Sequence, residues 1–188
     1  MPLIWMAALL ALGSHRSATP PPGAAGPAAP VVAPSPGELR RTVDAYLGSI
    51  DTPIAPSRWR ALGPAAAPLL EQVLDDAQAF PTRRARALEG LAWAAPERAA
   101  PRLAALSQRE EEPIVVRVAA MQGAARLLPS PELAAALLPV VRSAREPGLR
   151  AAAAGLLARS AHPPCKALRA QAALEEPGAF ERALLRCR

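Results

Sequence analysis

Glu110, Glu111 and Glu112 form the only acidic run in the chain. Adjacent carboxylates are what a hard divalent cation or a general acid–base pair requires. This run, however, stands just before Pro113, where a helix is expected to start, and negative charge there meets the positive end of the helix dipole. A solvated cap is therefore the first reading, and a metal or acid–base site the second. The two histidines, His15 and His162, stand apart and do not make a metal site. Cys165 and Cys187 lie 22 residues apart with no C-x-x-C spacing, so they do not read as zinc ligands. In an exported chain they are expected to form a disulfide tying the last two helices; in a reducing compartment they would be free thiols. No Ser, Thr or Cys clusters with a base and an orienting acid, and neither a GxGxxG stretch nor a P-loop occurs. These residues lead us to expect no catalytic group, no metal and no cofactor.

The elements that would position any site can be read from composition. Apolar residues make up 51% of the chain, yet the aromatic residues are only Trp5, Tyr46, Trp59, Phe80, Trp93 and Phe180, and Ala and Leu supply most of the rest. Ala and Leu are strong helix formers, and no stretch alternates β-branched or aromatic residues as a strand would. The expected fold is all-α. The formal charge is +6, carried almost wholly by arginine because Lys166 is the single lysine. Such a balance suits an acidic partner; it equally suits a chain in which arginine stands in for lysine and keeps it soluble. No run of five or six basic residues occurs.

Residues 3–12 are uncharged and apolar, too short to span a bilayer but suited to the core of a secretion signal. Ala11-Leu12-Gly13 fits a small-x-small cleavage site and Ala18 offers a second. No Lys or Arg precedes the stretch, so a buried amphipathic helix or a misplaced start is the other reading, which would leave the chain cytoplasmic. Residues 1–18 are thus expected to be a signal peptide, which leaves no membrane span in the mature chain. Residues 19–37, with seven prolines, are expected to be a disordered linker, either tether or spacer. Residues 38–188 remain as the helical domain.

That domain is periodic. Pro81, Pro113, Pro147 and Pro177 recur at intervals of 32, 34 and 30 residues. The segments beginning at Arg84, Arg117 and Arg150 superimpose without gaps. Counted from each arginine, positions +3, +4 and +7 read Ala87, Leu88 and Leu91, then Ala120, Met121 and Ala124, then Ala153, Ala154 and Leu157, one apolar helical stripe. Partner helices are expected from Pro64 to Asp76, Pro96 to Ser107 and Pro131 to Ala144, with proline near each start. Glu38 to Ile50 and the Trp59 segment could cap the front, and Cys165 to Leu174 and Phe180 to Cys187 the back. Arg83 stands out, occupying the place that Val116 and Leu149 hold ahead of the register arginine.

The stretch Arg145-Glu146-Pro147-Gly148-Leu149-Arg150, followed by four alanines, resembles the second-helix signature of HEAT and HEAT-like repeats. Glu112-Pro113-Ile114-Val115-Val116-Arg117 resembles it with one extra residue, and Ala61 to Leu70 resembles a first helix of such a unit. The likeness spans roughly residues 58–160 and implies a short right-handed superhelix of antiparallel helix pairs. It also implies that the outer side of the second helices forms a concave surface. On that side fall Arg86, Glu89, Trp93, Gln122, Arg126 and Arg159, at offsets well over 100° from the apolar stripe. Trp93 beside two arginines could take an acidic peptide, a polyanion or an aromatic-rich segment through charge, cation–π and apolar contact; a solvated face with Trp93 folded over a neighbour is the other reading. The expected role is a non-catalytic interaction module in the periplasm or envelope. The alternatives are a nucleic-acid binder like the DNA glycosylases built of HEAT-like repeats, which export argues against, and a HEAT-type bilin lyase.

Overall fold

The computed structural model describes residues 34–49 and 52–187. The expected signal peptide and most of the expected linker lie outside the described residues. Among those residues every regular element is helical: α1 (Pro36–Gly48), α2 (Pro56–Leu62), a 3-10 turn (Gly63–Ala66), α3 (Ala67–Asp75), α4 (Pro81–Ala94), α5 (Pro96–Gln108), α6 (Ile114–Leu127), α7 (Ser130–Ser143), α8 (Pro147–Ala158), α9 (Cys165–Ala172) and α10 (Glu181–Leu185).

Proline marks the starts. Pro36, Pro56, Pro81, Pro96 and Pro147 are each the first residue of their helix, where the missing N–H is one that a helix leaves unpaired in any case. Among the described helices only α1 also has a side-chain cap. There the Glu38 N–H donates to the Ser35 hydroxyl at 3.3 Å and the Ser35 N–H to the Glu38 carboxylate at 2.9 Å. That reciprocal box starts α1 at Pro36, inside the stretch expected to be linker. The segment expected to be helical from Pro64 also opens differently. Pro68 has no N–H to give the Pro64 carbonyl, so Ala67 donates to it instead in the tighter three-residue pattern, and a 3-10 turn precedes α3.

Chain neighbours form helix pairs, α3 with α4, α5 with α6 and α7 with α8. Across pairs, α4 lies on α6, α6 on α8, and α5 on α7. The three arginine-led helices are therefore adjacent in order, and all nine residues of the stripe read from the sequence, Ala87 to Leu157, have 0% exposure. Small residues set the spacing. A Cβ on Gly90 would lie 2.8 Å from the Trp59 ring and one on Gly123 only 2.7 Å from a Leu103 methyl, so glycine at these points lets α2 approach α4 and α5 approach α6.

The ends are covered as well. At the front, Trp59 is fully buried over Gly90 and meets the Tyr46 ring of α1 edge-on, with centroids 5.1 Å apart. Arg83, which stands where Val116 and Leu149 stand ahead of the other two register arginines, reaches Asp44 of α1 at 2.8 Å, so its polar side chain ties α4 to α1. At the back, α10 packs on α8 and on α9. Cys165 and Cys187 stand at disulfide distance, S–S 2.09 Å and Cα–Cα 5.4 Å, tying the start of α9 to the residue that follows α10 closely.

The register arginines join one pair to the next. Arg84 Nε donates to the Leu74 carbonyl at 3.0 Å while its guanidinium meets Glu112 at 2.8 Å. Arg117 repeats this one pair on, with Nε 3.3 Å from the Ser107 carbonyl, Glu110 at 2.8 Å and Glu146 at 3.6 Å. Arg150 donates to the Ala144 carbonyl at 2.7 Å and grips Glu175 through two bonds of 2.6 and 2.7 Å. Each arginine thus links the end of the first helix in its own pair to the acid ahead of the next arginine-led helix or of α10. This corrects the reading of the acidic run as a solvated cap. Glu112 has a side chain only 9% exposed and pairs with Arg84, and Glu110 pairs with Arg117; Glu111 is exposed. Burial forces that pairing, because an unpaired carboxylate at such a depth would be strongly destabilising.

Candidate interaction face

Arg86, Glu89 and Trp93 lie on α4, Gln122 and Arg126 on α6, and Arg159 at the C-cap of α8. Successive helices therefore carry them away from the buried stripe, as their offsets predict. What they do there differs from residue to residue. Trp93 is half-buried and packs against the core, with the guanidinium of Arg126 4.9 Å from its ring centroid and that of Arg60, from α2, at 5.1 Å. These are cation–π distances. Its indole N–H is shielded from solvent and has no hydrogen-bond partner among the described residues. The tryptophan is thus folded over its neighbours, as the other reading held, but two arginines rest on it and neither meets a carboxylate among the described residues.

Arg159 does not join Trp93. With Gln122 and Arg126 it lines a recess of about 410 Å³ floored by Ala125, Leu133 and Leu156. The guanidinium folds back along α8, 3.6 Å from where a Cβ on Gly155 would sit. A second recess of about 500 Å³ shares Gln122, Leu156 and Arg159 and extends to α10, where Arg182 and Glu181 line it. Arg86 turns the other way, its Nη1 donating to the Tyr46 carbonyl of α1 at 3.4 Å. Glu89 is half-buried on α4, one turn before Trp93.

Two members of this face were beyond the sequence reading. Arg60 precedes the first pair and Arg182 follows the last, so neither falls in the count from Arg84, Arg117 and Arg150 that found the others. Only packing brings α2 and α10 to this side. The electrostatic result is local. Arg60, Arg126, Arg159 and Arg182 carry positive charge with no carboxylate at ion-pair distance among the described residues. Such a stripe attracts anions, and most strongly at low salt.

Among the described residues no three His, Cys, Asp or Glu side chains come together as a metal site, and no helix is long and apolar enough to cross a membrane. No family model, no curated protein and no solved structure matches the chain.

Proposed function

We propose that the chain is a non-catalytic interaction module, a short right-handed HEAT-like stack of antiparallel helix pairs that holds an acidic segment of a partner protein in the periplasm or cell envelope. The observation that carries this reading is the Trp93 indole with Arg60 and Arg126 resting on it. A guanidinium stacked on an indole keeps its N–H edge free for in-plane, two-pronged bonding to a carboxylate, and stacking removes part of the ordering entropy that binding would otherwise oppose. The HEAT-like reading is supported by the recurrence of buried stripe and arginine link at the same register in successive pairs. The compartment is supported by the apolar stretch at residues 3–12 and by a cysteine pair at disulfide distance, which suits an oxidising environment.

The test is fluorescence anisotropy with a labelled peptide rich in glutamate and aspartate. Binding should weaken as salt rises and fall at least about tenfold in the Trp93→Ala, Arg126→Ala double variant. Undiminished binding by that variant excludes the face. A salt-sensitive shift of duplex DNA without peptide binding replaces the reading with nucleic-acid recognition. Mass spectrometry of the mature chain from the periplasmic fraction should find an N-terminus at Ser14 or Thr19, and an intact Met1 in the cytosol removes the compartment.

A further inference from the structure

The larger recess, between α6, α8 and α10, differs in kind from the Trp93 clasp. Its floor is aliphatic, with Val118, Ala152 and Leu156 half-exposed to it, while Gln122, Arg159 and Arg182 stand exposed at its rim. At about 500 Å³ it has the size of a small-ligand site, and an occupant that suits it offers an aliphatic group to the floor and an anion to the rim. The rim favours an anion, since Glu181 is the only carboxylate among the described lining residues and two guanidiniums oppose it. The recess also has a direction. Through Gln122, Leu156 and Arg159 it continues into the smaller recess, which reaches Arg126 and so the Trp93 clasp. On its far side, Gly178, Ala179 and residues 181–183 line it.

We infer that this recess receives the C-terminal residue of the bound segment, an aliphatic side chain on the floor and its free carboxylate held by Arg159 and Arg182. An internal aliphatic residue would need a neighbouring acidic side chain to supply the anion, whereas a chain end carries both in one residue and needs no way out past α10. A guanidinium suits a carboxylate through paired N–H donors, and neither arginine here is held by an acid among the described residues. This inference rests on the acidic-segment reading, because the path from Trp93 is what makes a peptide the occupant.

Three labelled peptides separate the two ideas by anisotropy on the full chain. One has an acidic body and a C-terminal leucine with a free carboxylate, one is its C-terminal amide, and one has a Ser/Gly body with the same free leucine. The acidic free acid should bind at least about tenfold tighter than its amide, and Arg182→Gln, with unchanged helical circular dichroism, should abolish that preference. Equal affinity for acid and amide, both still weakened by Trp93→Ala with Arg126→Ala, overturns the recess and leaves the face standing. A preference for the acid that survives Arg182→Gln also overturns it. If the Ser/Gly peptide binds as tightly as the acidic one, the terminal pocket is supported and the acidic-segment reading fails. Binding of none of the three overturns both.

Discussion

Arg117 and Arg126 belong to one helix and live in opposite surroundings. The side chain of Arg117 is 1% exposed and is held by Glu110, Glu146 and the Ser107 carbonyl. Arg126 is exposed to solvent, rests on the Trp93 ring and meets no carboxylate among the described residues. The same contrast divides Arg84 and Arg150 from Arg60 and Arg159. Residue type and net charge therefore say little about what an arginine does here. Among these six, Arg84, Arg117 and Arg150 receive a carboxylate from the loop ahead of a following helix and join the pairs, whereas Arg60, Arg126 and Arg159 meet none among the described residues.

The strongest way to break this comparison is at Arg117. Arg117→Met keeps the aliphatic stem but leaves a buried carbonyl and the part-exposed Glu110 and Glu146 without their donor, so stability should fall by about 3 kcal/mol. Urea denaturation followed by circular dichroism measures it. A loss near that of an ordinary surface substitution would mean that the buried arginines are bystanders in the stacking.

A smaller effect separates the same two sides through glycine. At Gly90 a methyl would meet the rigid, fully buried Trp59 ring at 2.8 Å. Overpacking of that kind costs about 1 to 3 kcal/mol and outweighs the gain of up to about 1 kcal/mol in helix propensity, so Gly90→Ala should be destabilised. At Gly155 the nearest atom is the Arg159 guanidinium at 3.6 Å, an ordinary contact. Gly155→Ala should instead be stabilised by up to about 1 kcal/mol. Thermal melts of the two variants should move in opposite directions, and a shared direction would deny the difference between the inner and outer sides.

How much of this could be read from the chain follows from what each feature depends on. The buried stripe was legible because helical periodicity alone puts +3, +4 and +7 on one face, and the nine residues so chosen are all buried. The outward positions of Gln122, Arg126 and Arg159 were legible for the same reason. The fate of Glu112 was not. Its partner Arg84 is 28 residues away, and a helix-start acid looks the same in sequence whether its carboxylate meets water or a neighbouring pair. Arg60 was hidden for a related cause, since α2 stands outside the three helix pairs and is brought beside α4 by the packing of Trp59 on Gly90.

Acid sharpens the contrast further. Hydrogen bonds from the Arg150 guanidinium, helped by Gln171, hold the Glu175 carboxyl below its ordinary value of 4.5 despite its burial. A carboxyl lowered on folding contributes stability that is fully present above 4.5 and is lost as pH falls through the lower folded value. Wild type should therefore be more stable than Glu175→Gln at neutral pH, and the gap should close on acidification below 4.5. Urea midpoints across that range measure it. A gap that does not narrow in acid would show that the pair adds no charge-dependent stability.

The smallest stability effect is expected at Arg126. Arg126→Ala removes a guanidinium that no described carboxylate needs and that only caps the Trp93 ring, so the change in stability should stay within about 0.5 kcal/mol. Trp93 should report the loss optically, because the indole exchanges a stacked cation for water while the buried Trp59 does not change its surroundings. A shift in tryptophan emission without a shift in melting temperature is the expected signature. If Arg126→Ala destabilises the chain as Arg117→Met does, the outer arginines also belong to the scaffold, and the contrast between the two sides of α6 fails.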